Sequence, residues 1–254
     1  MLRVIAIVLL TLSSIASAKA ADVKVLAALA VQDALDPLAA RFSRDRGHAV
    51  QIAYSTVGAI RKRLAAGERA DVVVLTAEAM EEMDHAGQLV AGSRAPVAAT
   101  RTGLAIRDGA VAPDITTIEK FRAALLAARS IAYTDPKTGG AFGTYFANEL
   151  EHMGIADAVN AKAVLRRGSH EIVKAVAGGE AELGVTFIST IVSTPGLKVA
   201  GPLPPPLLTM ERFAAGVLHD NTARDAAIDL VRVLHDSRSA DLWTAAGFEV
   251  PTSP

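Results

Sequence analysis

The chain has no cysteine in its 254 residues, so disulfides, thiol nucleophiles and cysteine-based metal sites are excluded. Aromatic residues make up only 4% of it, with a single Trp, which argues against a carbohydrate cleft, where ligand rings rest on Trp and Tyr. Neither sign of charge dominates: 26 Lys and Arg face 27 Asp and Glu, and no basic run is long enough to track nucleic acid. A Gly-x-Ser-x-Gly elbow, a His-Glu-x-x-His helix and a Walker loop are also missing, so no nucleophile, zinc centre or nucleotide site is announced. His170 has no second ligand at i+4, and His48, His85, His152, His219 and His235 fall in loops or on helix surfaces. No metal and no cofactor are expected.

What is present begins with an export pattern. Met1 to Arg3 is short and positive, Val4 to Leu12 is apolar, and Ser13 to Ala20 is small and polar. The apolar run falls well short of the roughly 20 residues that span a bilayer. Ala16-Ser17-Ala18 and Ala18-Lys19-Ala20 both fit the small-x-small cleavage rule, so residues 1–20 read as a signal peptide and the protein as periplasmic. The formal charge is −1; cleavage after Ala18 removes one cation, Arg3, and leaves −2.

The remainder alternates strand and helix. Val23 to Leu29 reads as a buried strand, and Leu35, Leu38, Ala39 and Phe42 repeat at helical spacing up to Gly47. Pro37 is placed in the first turn of that helix, where no backbone bond is lost. Val50, Ile52 and Tyr54 alternate as a strand, Ile60 and Leu64 mark a helix, and Asp71 to Leu75 is a strand followed by a helix from Ala77 to Ala86. Thr116-x-x-Glu119 reads as a capping box. Strands at Ser130–Thr134, Val164–Leu165 and Leu183–Phe187 alternate with helices at Gly143–Met153 and Ser169–Val176, and Thr222–Leu234 is amphipathic. Trp243 reads as a packing residue. Such βαβα order implies mostly parallel sheet with helices on both faces. Arg94–Arg107 and Leu208–Leu218 read as extended passages between two lobes, giving 21–96 plus 209–254 for lobe one and 97–208 for lobe two. A ligand cleft is expected where the strand ends and helix starts converge.

The landmarks occur in an order that resembles the type II periplasmic solute-binding proteins, and above all the molybdate-binding component of ABC importers. The matching stretches are Val25 through Leu35, Gly58 through Gly67 to Ala70-Asp71-Val72-Val73-Val74, and Asp135-Pro136 with Gly143 and Tyr145. Gly179 through Val185 and Ala245-Ala246-Gly247-Phe248 complete them. The resemblance implies a monomeric two-lobed α/β binder, not an enzyme. It would close on a small anion (a molybdate-like oxyanion or an organic carboxylate) and deliver it to a membrane permease. A sensory binding protein, or an enzyme on the same fold using Asp135 and Lys137 as acid and base, are the alternatives.

In the resembling family the anion is held by hydroxyls and by backbone N–H groups at helix starts. The corresponding positions here are Ala30, Val57 and Phe187, none of which donates a side-chain hydrogen bond. Each missing bond to a charged group costs about 1.5–3 kcal/mol, which points to a ligand larger or less polar than molybdate. Ala28, Leu29 and Ala30 form the first candidate loop. Ser55, Thr56 and Val57 form the second, either clamping an anion or simply capping a helix. Thr138, Gly139, Gly140 and Phe142 belong to a glycine-dense loop that opens a helix and lets N–H groups approach an anion. In Arg166-Arg167-Gly168-Ser169-His170, an Arg fork suits a carboxylate or is merely solvated. Ser169 is expected as the cap, and the Ser169 and His170 N–H groups as donors.

Overall fold

A computed structural model describes residues 21–138 and 141–251; the signal-peptide reading for residues 1–20 lies outside the described residues. The first half opens with β1 (Asp22–Ala28), a 3-10 turn (Leu29–Val31), α1 (Gln32–Arg46), β2 (Ala49–Ser55), α2 (Val57–Ala65), β3 (Val72–Thr76) and α3 (Ala77–His85). Gly47 closes α1 at φ 71°, the left-handed cap that glycine adopts without a Cβ clash. Helix α1 starts at Gln32, directly after the 3-10 turn, so Pro37 lies inside it and not in its first turn. Its ring nitrogen leaves the Asp33 carbonyl without the usual i+4 donor.

The chain continues with β4 (Ala95–Arg107), α4 (Ile118–Ala127), β5 (Ile131–Thr134), a 3-10 turn (Pro136–Thr138), α5 (Ala141–His152), α6 (Ala156–Asn160) and β6 (Ala163–Arg166). It finishes with α7 (Ser169–Ala177), β7 (Leu183–Phe187), α8 (Ile188–Val192), β8 (Leu197–Pro202), β9 (Met210–Val217), α9 (Arg224–His235) and α10 (Ala240–Ala245). The cap of α4 is Thr117, whose hydroxyl accepts from Lys120 N at 3.3 Å, and not Thr116. The Thr116 hydroxyl is held by Asp114 at 2.7 Å, so the helix starts one residue later than the capping box implied.

Strand order is β2-β1-β3-β9-β4-β7-β5-β6, with β8 on β4. Parallel pairing holds within each half, β2–β1–β3 and β7–β5–β6. Every antiparallel pair is made by β4 or β9. These are the two extended passages, and they run antiparallel to each other. β4 changes partner along its length: Ala95–Arg101 pair with β9, whereas Thr102–Arg107 pair with β7 and β8.

The apolar residues gather in four clusters, of which two are large and two small ones, around Ile172 and around Val173, lie beside β5 and β4. One large cluster holds Val25, Leu38, Val73, Phe213 and Trp243; the second holds Leu104, Phe121, Tyr133, Phe146 and Val185. Helices cover both faces of the first sheet. A Cβ on Gly216 would strike Met80 of α3 at 2.8 Å, while Phe213, on the opposite face, meets Phe248 edge-on at 6.0 Å. Trp243 is fully buried and its indole N–H reaches the Leu234 carbonyl at 3.0 Å. Asp71 is buried as well: its carboxylate accepts from Lys24 N at 2.8 Å, Thr222 N at 2.6 Å, Thr222 Oγ1 at 3.1 Å and Ala223 N at 3.1 Å.

Candidate functional site

Parallel strands present their carboxyl ends at one edge of a sheet, followed by helix starts. In the first half, β1 and β2 end in register, Ala28 opposite Ser55, so the loops carrying Leu29, Ala30, Thr56 and Val57 lie side by side. Ala28 is buried, while Leu29 keeps 40% of its surface exposed. Thr56 is the cap of α2, its hydroxyl accepting from Ala59 N at 3.3 Å. Of the two readings for Thr56, capping is thus realised by the side chain. The N–H groups of Val57 and Gly58 belong to the first turn and have no partner within the helix.

In the second half, β5 and β6 end in register, Thr134 opposite Arg166, and Asp135 N donates to Arg166 O at 2.7 Å. This sets Asp135 and Lys137 beside Arg166 and Arg167. Thr138 ends the 3-10 turn; Gly139 and Gly140 lie outside the described residues. Gly143 sits so close to the end of β5 that a Cβ there would stand 2.8 Å from Thr134 O. The first turn of α5 is therefore seated directly on the strand end, and it carries Phe142. That ring lies 5.8 Å from Phe187 at 41° and 6.1 Å from Phe146 at 17°. Phe187 ends β7 opposite Thr102 of β4, at the point where β4 passes from one set of partners to the other.

The arginines separate. The Arg166 guanidinium is bound to Glu180, whereas Arg167 is exposed. Its backbone N–H is already taken by Glu171 Oε2 at 3.2 Å. The cap of α7 is Gly168, with extended backbone at φ −172° and no side-chain cap bond. Ser169 is the first helical residue, which corrects its expected capping role: Glu171, reaching back from inside the helix, occupies the capping region. A cavity of about 490 Å³ lies here, lined by Asp135, Lys137, Leu165, Arg166, Arg167 and Glu171. His170 is partly exposed at the same helix start.

The structure thus gathers Ala28, Leu29, Ala30, Ser55, Thr56 and Val57 at one set of strand ends. Thr138, Phe142, Arg167, Ser169, His170 and Phe187 gather at the other. Two groups were not read as site residues from the sequence. Tyr145 Oη donates to Pro206 O at 3.2 Å, tying α5 to the passage that precedes β9. Glu211 lies on β9 opposite Thr100, near the end of β3, since Thr76 pairs with Phe213. Burial, then repulsion from Glu78 in the first turn of α3, raise the Glu211 carboxyl above its ordinary value. The signal for it was an acidic residue within a stretch otherwise patterned as apolar extended chain.

Comparison with known proteins fits this geometry. The model of the family described as bacterial extracellular solute-binding protein matches residues 23–249. Aconitate isomerase from Pseudomonas sp. is 30% identical over 201 residues, covering 78% of this chain and 75% of that protein. The molybdate-binding protein ModA of Azotobacter vinelandii is 25% identical over 240 residues, 91% of each chain. The solved periplasmic molybdate-binding protein of Azotobacter vinelandii superposes with a TM-score of 0.71 at 22% identity, covering 91% of this chain and all of that one.

Proposed function

Because the chain belongs to the family of bacterial extracellular solute-binding proteins, we propose that it captures a small organic anion, a carboxylate, in the cleft between two lobes. It then hands that anion to the permease of an ABC importer. Lobe one is 21–96 plus 209–254 and lobe two 97–208, with β4 and β9 as the hinge. The protein works in the periplasm, as a monomer, after removal of residues 1–20, and closes its lobes over the ligand.

The choice of ligand is supported by the starts of α2, α5 and α7 standing at the strand ends, and by Ala30, Val57 and Phe187 at the positions that the resemblance to molybdate binders implies should hold hydroxyl donors. Helix starts favour negative charge without specifying its shape. Arg167 and Lys137, both exposed at the mouth of the second set, supply the charge that a carboxylate needs and that a cation-free oxyanion site does without. The higher identity to an aconitate isomerase than to a molybdate binder supports the same class. A thermal-shift screen of the full chain against oxyanions, organic acids and amino acids tests it: stabilisation by organic acids is expected, and silence across all three classes would end the transport reading.

A second reading is catalysis on such an acid. It is favoured by the identity to an isomerase and by Glu211, a half-buried carboxyl whose raised pKa suits a group that exchanges protons. Incubation with cis-aconitate followed by proton NMR separates the two readings. The binder leaves the spectrum unchanged; appearance of the trans isomer, abolished in Glu211→Gln, would establish the enzyme.

A further inference from the structure

We propose that Phe142 and Phe187 form an aromatic ledge that selects carboxylates with a planar, conjugated carbon skeleton over flexible or saturated ones of equal size. This rests on the carboxylate reading of the cleft. The chain has seven Phe, and five of them, Phe42, Phe121, Phe146, Phe213 and Phe248, are no more than 3% exposed. The two that are only partly buried are Phe142 and Phe187, and they meet each other at the strand ends of the second half. Phe142 packs against the apolar cluster of the second half with one side, and both rings keep part of their surface open.

Their placement is fixed from behind. Phe142 stacks at 17° on Phe146, which meets Tyr133 at 5.2 Å and Phe121 at 6.4 Å within the core. The close seat of Gly143 on Thr134 O removes slack in the first turn of α5, and the Tyr145–Pro206 bond holds the next turn. Phe187 is held by its strand pairing with Thr102. A pre-set aromatic surface stacks a flat ligand without an ordering cost, and offset stacking adds to simple area burial. The strand ends of the first half are apolar too, with Leu29 exposed beside Ala30 and Val57. An anionic end belongs with the helix starts and Arg167; a flat apolar body belongs on the rings.

The test is calorimetric titration of the full chain with benzoate, cyclohexanecarboxylate, acetate and molybdate, repeated on Phe187→Leu and Phe142→Leu. Leucine keeps apolar volume and removes the ring, and a melting curve for each variant confirms folding. Benzoate should bind about tenfold tighter than cyclohexanecarboxylate. That preference should collapse to within about twofold in either variant, with acetate affinity unchanged. Equal affinities for benzoate and cyclohexanecarboxylate in the natural chain, or a preference that survives in both variants, would overturn the ledge while leaving the carboxylate reading intact. Binding of molybdate with no response to any of the three acids would overturn both.

Discussion

At the strand ends of the first half, the helix start is closed by its own hydroxyl: Thr56 caps α2, and Leu29 stands exposed in the adjoining loop. At the strand ends of the second half, α7 begins at a glycine with no hydroxyl cap beside the exposed Arg167, and the partly exposed Phe142 and Phe187 lie at the neighbouring strand ends. The same topological device, a parallel strand feeding a helix, therefore yields two unlike walls. One offers backbone donors at the start of α2 and the exposed Leu29. The other offers charge, rings and a cavity of about 490 Å³. Under the proposed carboxylate reading, selectivity would be written in the second half and the first would contribute generic anion affinity.

The halves also differ in how their cores are locked. The first contains Asp71, a buried carboxylate with four hydrogen bonds reaching β1 and the entry to α9. The buried polar residues of β4 and the second half are Thr and Ser, among them Thr102, Thr134 and Thr186. Asp71→Ala leaves four part-buried donors without their acceptor at once and should lower stability by about 3 kcal/mol in urea denaturation. A loss below about 1 kcal/mol would contradict the lock.

A smaller effect sharpens the contrast between the walls. Thr56→Ala should cost about 1 kcal/mol of stability, whereas Ser169→Ala, which removes no cap bond, should fall within about 0.5 kcal/mol. Equal losses in thermal melts would mean that the two helix starts are built alike after all.

The smallest expected effect concerns pH. Burial raises the Glu211 carboxyl above 4.5 in the fold, so the protonated form is favoured there. The stability it contributes is complete below the ordinary glutamate range and is lost as pH rises through the raised value. Glu211→Gln should flatten the fall of melting temperature from about pH 4.5 upward. An unchanged slope would show that Glu211 is solvated.

Much of the architecture was legible in the residues. The apolar runs at Val23–Leu29 and Asp71–Leu75 gave strands, Gly47 closed its helix, and the alternating pattern of Arg94–Arg107 and Leu208–Leu218 gave the extended strands β4 and β9. Helix starts were less legible, because caps are decided by local competition. Asp114 claims the Thr116 hydroxyl and leaves capping to Thr117; Glu171 reaches back to Arg167 N and leaves Ser169 inside the helix. Adjacent arginines were indistinguishable in sequence, and only the partner Glu180, fourteen residues on, separates Arg166 from Arg167. Glu211 escaped because strand patterning registers burial along the chain and not the carboxylate of a neighbouring helix.

The measurement that bears most directly on the central claim is calorimetric titration of the full chain with small carboxylates and with molybdate, alongside Arg167→Ala. The account predicts one carboxylate bound per chain, weakened about 10- to 100-fold by loss of the guanidinium, and no tight molybdate binding. Tight molybdate binding without any carboxylate response, indifferent to Arg167, would contradict it.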